Sequence, residues 1–514
     1  MSRSEQNKTP RPQREYLFNQ IHSLEGSVGP IRSLTFLSWK MPKKMWYWLA
    51  GNAGNAGIYE FLHLFLLYFY NQILGLPAYL ASLAIAISIT FDAVSDPMIG
   101  YLSDRFRHPL GRRIPFMLVS VIPTALCLIL LFALQLEISH FALFSQMVLL
   151  TSLFRVAHTA YNIPREALGL ELYRNYDERT VLWSNSRIAG TAGVGYSLAP
   201  VLLFFMAEDW SDPKGYLWSA VWVSVVFLGY SGYSTWRMRY IEVEYKLPPS
   251  ANKTPSIREL WPEIKSLTTN KSWLALFFAM MFFGLNGGLN GGSALYLNNH
   301  LWHWGPQDLF FSGFIQLPGV VAAAIFIKAL IDQRFDKKRL AVNLALAAVL
   351  TSPIFIGFRV IDIHYDTDIL PPTGQGAFSF LWWLFCLNAF VQNFLWSGFW
   401  ILIASMFSDI VEDEQKKTET RSEALVFSAN NFLNKLVGNI GILGSGVMIT
   451  WAGFDIAKTL AEKELAASYL GLIFILSGSI SGLLAILTIS RYRITRSIHQ
   501  NHLEDLGYNQ TDKS

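Results

Sequence analysis

About twelve blocks of mostly apolar sequence, each roughly 20 residues or longer, constrain this chain more than any other feature. A helix rises about 1.5 Å per residue, so about 20 apolar residues cross the ~30 Å hydrocarbon layer of a bilayer. The blocks run approximately over 46–73, 79–103, 114–136, 141–170, 184–207 and 216–237, then 273–299, 308–331, 339–360, 377–407, 424–450 and 467–490. With 52% hydrophobic and 15% charged residues among 514, the chain has too little charged surface to wrap so many buried helices in water. The fold expected is an all-α polytopic membrane protein with twelve transmembrane helices.

Lysine and arginine in the connections set an orientation. Arg105, Arg107, Arg112 and Arg113 follow the second block, Arg174 and Arg179 the fourth. Arg334, Lys337, Lys338 and Arg339 follow the eighth, and Lys416, Lys417 and Arg421 the tenth. The connections after the first, third and seventh blocks carry essentially none. Both termini are therefore expected on the cytoplasmic side of a cytoplasmic (inner) membrane. The net charge of +4 reflects this inner bias and points to no nucleic-acid partner. Cys127 and Cys386, the two cysteines, each lie inside an apolar block, so no disulfide framework is implied. The polar stretch at the start reads as a tail, not a signal peptide.

The connection 238–272 is charged and bears prolines, with six blocks on either side. The expected organisation is a cytoplasmic tail (1–44), a six-helix bundle (45–237), a cytoplasmic linker (238–272), a second six-helix bundle (273–490) and a cytoplasmic tail (491–514). The basic loop DRFRHPLGRR (104–113) after the second block is echoed by DQRFDKKR (332–339) after the eighth. A six-plus-six arrangement with such an echo implies alternating access around a midplane site.

The second block holds FDAVSDPMIG (91–100), with two acids where hydrocarbon should be. Asp92 and Asp96 are four residues apart and share a helix face with Ser88, one turn earlier. An acid at the bilayer centre costs roughly 2.5–3.5 kcal/mol, and two like charges at this spacing repel unless a proton or cation intervenes. Pro97 removes an N–H and frees the carbonyl of Ala93. Two carboxylates, a hydroxyl and a free carbonyl suit a hard cation such as Na⁺, or a proton-carrying pair. The alternative is a salt bridge to Arg187 or Lys435.

Three resemblances carry this further. GYLSDRFRHPLGRR (100–113) resembles the signature loop of the major facilitator superfamily, which implies that fold and a gating or conformational role for Asp104, Arg105, Gly111 and Arg112. FDAVSDPMIG, NIPREALGLELYRNYDERTVLWSNSRIAG (162–190) and SDIVEDEQKKTETRSEALVFSANNFLNK (408–435) resemble, in order, three segments of the glycoside–pentoside–hexuronide:cation symporter family. The resemblance covers about residues 45–490. It implies that Asp92 and Asp96 serve a coupling cation with Thr159 nearby, and that Arg187, Lys435 and Trp400 lie at the solute site. The chain departs from the family's galactoside-reading positions. The first-helix acid falls on Ala56 with Glu60 one turn on, the fourth-helix acid becomes Asn162, and the stacking tryptophan becomes Glu166. A galactoside is therefore not the expected cargo.

The fourth block carries polar residues at 155, 158, 159, 162, 165 and 166, one face of a helix. Arg155, His158, Thr159, Asn162, Arg165 and Glu166 would line a water-filled cavity, with mutual neutralisation of Arg165 and Glu166 as the alternative. If the second-block aspartates serve a cation, the balance left among Glu60, Glu166, Arg155, Arg165, Arg187 and Lys435 is positive. An anionic, uronate-type sugar fits that balance, since arginine reads carboxylates and sulfates bidentately. In the tenth block Asn388, Gln392, Trp396 and Trp400 recur every four residues and offer amides and an indole to a sugar. The seventh, FFGLNGGLNGGSALYLNN (282–299), is glycine-rich enough to break or bend near Asn286 and Asn290, or else to pack closely.

The function expected is symport of a sugar or sugar-like solute with Na⁺ or H⁺. The rivals are a carrier of an amphipathic, lipid-like solute and a non-transporting membrane receptor. No cofactor is expected beyond the coupling ion, and the protein is expected to work as a monomer with a small-molecule substrate. No P-loop, zinc motif or nucleophile elbow points to an enzyme.

Overall fold

The computed structural model describes residues 42–133, 139–172, 176–206, 210–245, 269–332, 335–418, 423–494 and 498. The first 46 residues cluster apart from 47–514. Most of that first unit, with much of the linker and of the C-terminal tail, lies outside the described residues.

All the described elements are helical. In chain order the long ones are α1 (Lys43–Tyr68), α2 (Ala78–Arg105), α3 (Ile114–Ala133), α4 (His140–Leu172), α5 (Tyr176–Pro200) and α6 (Pro213–Tyr245). Then follow α7 (Lys271–Tyr296), α8 (Pro306–Asp332), α9 (Lys337–Tyr365), α10 (Phe380–Thr418), α11 (Glu423–Ala452) and α12 (Leu460–Ile489). Several starts are capped. Asn270 accepts from the Ser272 and Trp273 amides, Asp336 from the Arg339 amide, and Thr459 and Glu462 form a reciprocal capping box. Pro97, Pro123, Pro164, Pro318 and Pro353 lie within helices, as membrane helices tolerate.

By length and hydropathy, nine of the described helices can cross a membrane, and Val437–Ala452 is a shorter apolar stretch. The chain is a multi-pass membrane protein, but these two criteria alone carry nine spans, not twelve. α6 runs to Tyr245, eight residues into the stretch read as linker. RMRYIEVEY has no breaker, and the helix can continue until Pro248 and Pro249.

Contacts between helices repeat along the chain. α2 packs on α4, and α3 on α4 and α6; six helices later, α8 packs on α10, and α9 on α10 and α12. The ends of α1 and α7 match bond for bond. Each closes in a π-turn, Phe69–Ile73 and Leu297–Leu301. The Leu74 amide donates to Phe69 O and the Trp302 amide to Leu297 O, both at 3.1 Å. Two residues on, the Leu76 amide reaches Tyr70 O and the Trp304 amide reaches Asn298 O, both at 2.9 Å. Outside these repeats, α2 packs on α11 and α7 on α11 and α12.

The glycine-rich helix does not break. α7 is continuous from Lys271 to Tyr296, and its glycines let backbones touch. A Cβ on Gly288 would collide with Gly438 O on α11, and one on Gly292 with the Ser445 hydroxyl. Close packing therefore replaces the expected bend, because dispersion between tightly apposed backbones is what associates helices in lipid.

Candidate cation and solute site

Asp92 lies 14 residues from the start of α2 and 13 from its end, about 20 Å from either by helix rise. That places its carboxylate near mid-membrane. Facing it on α4 is Thr159, 3% exposed. The Thr159 hydroxyl lies 2.8 Å from Asp92 Oδ1 and 3.0 Å from Asp96 Oδ1. A hydroxyl carries one proton and can donate to one carboxylate at a time. The other close oxygen–oxygen approach calls for a proton on a carboxyl or a cation among the three oxygens.

Arg155, one turn before Thr159 on α4, is 7% exposed. Its Nε donates to Ser88 Oγ at 2.9 Å, and Ser88 in turn donates to Ile85 O at 2.7 Å. Its Nη1 stands 3.9 Å from Asp92 Oδ2. On α2 the Ser95 hydroxyl donates back to the Asp92 carbonyl, just before Pro97 interrupts the helix's own hydrogen bonding. Four of the predicted residues (Ser88, Asp92, Asp96 and Thr159) thus meet in one place, joined by Arg155.

Asp92 and Arg155 also line a central cavity of about 220 Å³. α1 contributes Tyr59, Leu62, His63, Leu66 and Leu67; α7 contributes Gly287, Gly288 and Gly292; α11 contributes Gly438, Asn439 and Ile442. Tyr59 and His63 are the polar residues of α1 that line the cavity, and Glu60 is not among its lining residues. Asn439 donates to Ala86 O at 3.1 Å, which fixes its Oδ1 as an acceptor with no partner among the described residues.

Asn162, Arg165 and Glu166 form a separate cluster. Arg165, 1% exposed, donates to Asn162 Oδ1 at 3.0 Å and lies 3.6 Å from Glu166 Oε1. Asn162 donates to the same Glu166 oxygen and receives Asn55. The guanidinium stands over the Trp48 ring, whose indole N–H binds Arg165 O. These residues neutralise one another and tie α4 to α1 instead of facing the cavity. Gln392 is committed to Thr351 on α9 at 2.9 Å. Trp400 is 44% exposed, edge-on to Phe399 and away from the cavity lining. The side chains of Arg187, Lys435 and Asp104 lie outside the described residues. In the signature loop Gly111 takes φ +96° and closes a turn on His108 O, a conformation that favours glycine. Arg105 covers the Tyr101 ring, and Arg112 is half-buried.

Among the described residues, every hydrogen bond joining α1–α6 to α7–α12 lies between the cavity and one end of the helices. That end is where α1, α7 and α11 finish. There Asp455 accepts from Asn71 Nδ2 (2.8 Å), the Ala78 amide (3.1 Å) and the Thr450 hydroxyl (2.8 Å). Tyr296 donates to Asn71 and Trp210 to Trp304 O. The Tyr68 hydroxyl and His300 Nε2 are 3.4 Å apart.

Residues 48–496 match the family described as MFS/sugar transport protein. The chain belongs to that family. Its members are transporters, not enzymes, in keeping with the resemblance to glycoside–pentoside–hexuronide:cation symporters. The inner membrane symporter YicJ of Escherichia coli is 23% identical over 86% of this chain and 89% of its own length. An uncharacterised symporter of Synechocystis is 38% identical, over 32% of this chain and 30% of that protein. Among solved structures, the nucleoside transporter NupG superposes with TM-score 0.57 over 88% of this chain and all of NupG, at 13% identity. The E. coli xylose transporter XylE in its inward-open state gives 0.53 over 90% of this chain and 98% of its own, at 13%. At such identities these structures speak for the fold alone, an all-helical transporter of the major facilitator type. Sequence reasoning passed over Tyr59, His63 and Asn439 in this MFS/sugar transporter. His63 lies one turn beyond Glu60 and Asn439 one turn beyond Lys435, so helical spacing from those two residues could have found them.

Proposed function

We propose that this MFS/sugar transport protein couples entry of a sugar-like, anionic solute to Na⁺ or H⁺ by alternating access. The observation that carries the reading is the single Thr159 hydroxyl set between Asp92 and Asp96 at mid-membrane. That arrangement is at ease only with a proton or cation in place, and it borders the central cavity. No cofactor beyond the coupling ion is required, and one chain supplies the whole site, so a monomer suffices.

The repeated helix contacts and the matching ends of α1 and α7 support two related six-helix bundles, hence twelve spans around one midplane site. With the basic connections inside, both termini are cytoplasmic and the bonded end around Asp455 is the outer one. The chain is then closed to the outside.

Arg155 and His63 at the cavity favour an acidic group on the cargo. Relatives of E. coli named as a putative sulfoquinovose importer and a putative 2,3-dihydroxypropane-1-sulfonate exporter are 23% and 24% identical, and both names denote sulfonated solutes. A cavity of about 220 Å³, below the ~300–1,000 Å³ of drug-sized pockets, suits a monosaccharide. A second reading, carriage of an amphipathic solute, is favoured by the aliphatic wall of Leu62, Leu66, Leu67, Ile85, Ile89 and Ile442. Purified protein in vesicles, given sulfonated, carboxylated and neutral monosaccharides and a lyso-lipid, separates the readings. We expect a Na⁺ or H⁺ gradient to drive accumulation of an acidic sugar and Asp96→Asn to abolish it. Accumulation of neutral and acidic sugars alike, or uptake indifferent to both gradients, would refute the proposal.

A further inference from the structure

We infer that the ends of α7, α9 and α12 remote from Asp455 form a binding site for the phosphate headgroup of an anionic phospholipid. The site is separate from the central cavity and does not depend on the coupling proposal.

A second cavity, of about 580 Å³, opens where α7 and α9 begin and α12 finishes. Its lining carries four cations, Lys271, Lys338, Arg491 and Arg493, and no carboxylate. None of these four side chains has a hydrogen bond or ion pair among the described residues. Of the described acids at these helix ends, Asp336 caps α9 through the Arg339 amide, and Asp409 holds Lys337 at 2.8 Å. Four like charges around one cavity repel one another, and an anion set among them relieves that cost.

The cations are held there by the fold. After α12 stops at Ile489, Arg491 and Arg493 are exposed and alternate with buried Tyr492 and Ile494. The Tyr492 hydroxyl donates to Met406 O at 3.3 Å, and the Arg493 amide donates to Ser272 Oγ at 3.2 Å. The backbone beneath both arginines is thereby anchored to α10 and α7.

The α7 wall is apolar beyond Lys271. Leu274, Ala275 and Phe278 line it, and Phe278 is 41% exposed. Lys271 begins a helix able to cross the membrane, and from Lys271 to Phe278 is about 10 Å of helix rise. That distance leads from the headgroup layer into hydrocarbon. A soluble phosphate would satisfy the basic rim and leave the apolar wall uncovered, whereas a phospholipid covers both. Basic pockets between membrane helices take lipid headgroups for this reason.

The test is thermal stabilisation of the purified full chain in detergent, titrated separately with dioleoyl phosphatidylglycerol, dioleoyl phosphatidylcholine and inorganic phosphate. We expect saturable stabilisation by phosphatidylglycerol and none by the other two. Each cation near an anionic lipid contributes a factor of about five in affinity. Arg491→Gln with Arg493→Gln should therefore weaken phosphatidylglycerol by about 25-fold, and Lys271→Gln with Lys338→Gln by a similar factor. Arg491→Lys with Arg493→Lys keeps both charges and should stay within a few-fold of the native protein. Arg237→Gln with Arg239→Gln, near the end of α6, removes equal charge elsewhere and should change little. The site is overturned if phosphatidylcholine stabilises as well as phosphatidylglycerol, or if both glutamine pairs keep native affinity. It is overturned equally if the lysine pair or the α6 pair loses as much as the glutamine pairs. Saturation by inorganic phosphate alone would make this a free-anion site and refute the lipid. No arm uses Na⁺ or cargo, so failure here leaves the symport reading untouched.

Discussion

Replacing Thr159 by valine tests the centre of the site with little disturbance of packing. Valine has nearly the same shape, and the position is 3% exposed, so steric effects stay small. What is lost is one hydroxyl with oxygen contacts of 2.8 and 3.0 Å to Asp92 and Asp96. A hydrogen bond to a charged group contributes about 1.5–3 kcal/mol, and each ~1.4 kcal/mol is tenfold in an equilibrium constant. Cation affinity should therefore fall by roughly 10- to 150-fold in Thr159→Val. Thr159→Ser, which keeps the hydroxyl, should lose little. The assay is cation-dependent thermal stabilisation of the purified protein, titrated with Na⁺ and, without Na⁺, with protons. The reasoning fails if valine and serine variants behave alike, since the methyl group would then matter and the hydroxyl would not. It fails equally if the valine variant keeps native affinity for both ions.

Three further outcomes follow from the geometry. Asp455→Ala removes the acceptor of two hydrogen bonds that tie the end of α11 to Asn71 and Ala78. It should open that end and raise the labelling rate, by an impermeant thiol reagent added outside, of a cysteine placed at His63. The buried Asp409 carboxylate receives Lys337 Nζ at 2.8 and 3.0 Å, and the lysine is 27% exposed. Discounted for that exposure, Asp409→Leu should cost about 1–3 kcal/mol, and Lys337→Met on top should recover part of the lost melting temperature. Burial holds the His303 imidazole below its ordinary value of 6.5, in the connection between α7 and α8. The unfolded chain then binds its proton first, so the stability His303 gives is complete above pH about 6.5 and lost as pH falls below it. His303→Gln should flatten that acid limb of the melting curve.

The cluster around the proposed cation site was legible because intramembrane acids are rare. Asp92, Asp96 and Ser88 announce one helix face by spacing alone, and Thr159 followed from the family likeness. The solute end was not. Glu60 and Trp400 were read from the family likeness and Gln392 from four-residue spacing, and none of the three is among the residues that line the central cavity. Arg165 and Glu166 were chosen as polar groups in an apolar block. Arg165 is buried against Asn162, Glu166 and the Trp48 ring, an arrangement that needs α1 beside α4. The glycines of α7 permitted either a bend or a close contact, and only the arrival of α11 decided between them.

By itself the sequence determined that the chain lives in a bilayer, since blocks of apolar residues have nowhere else to go. It also indicated which end of each helix is basic and which helix carries the acids proposed for coupling. These properties are local, being set by length, hydropathy and the cost of a charge in hydrocarbon. The tertiary structure decided which polar residues share a cavity, which cancel in pairs, and that Arg155 reaches Asp92 from a helix 63 positions away in sequence. Those depend on the rotation and approach of whole helices, and residue spacing within one helix carries no information about either.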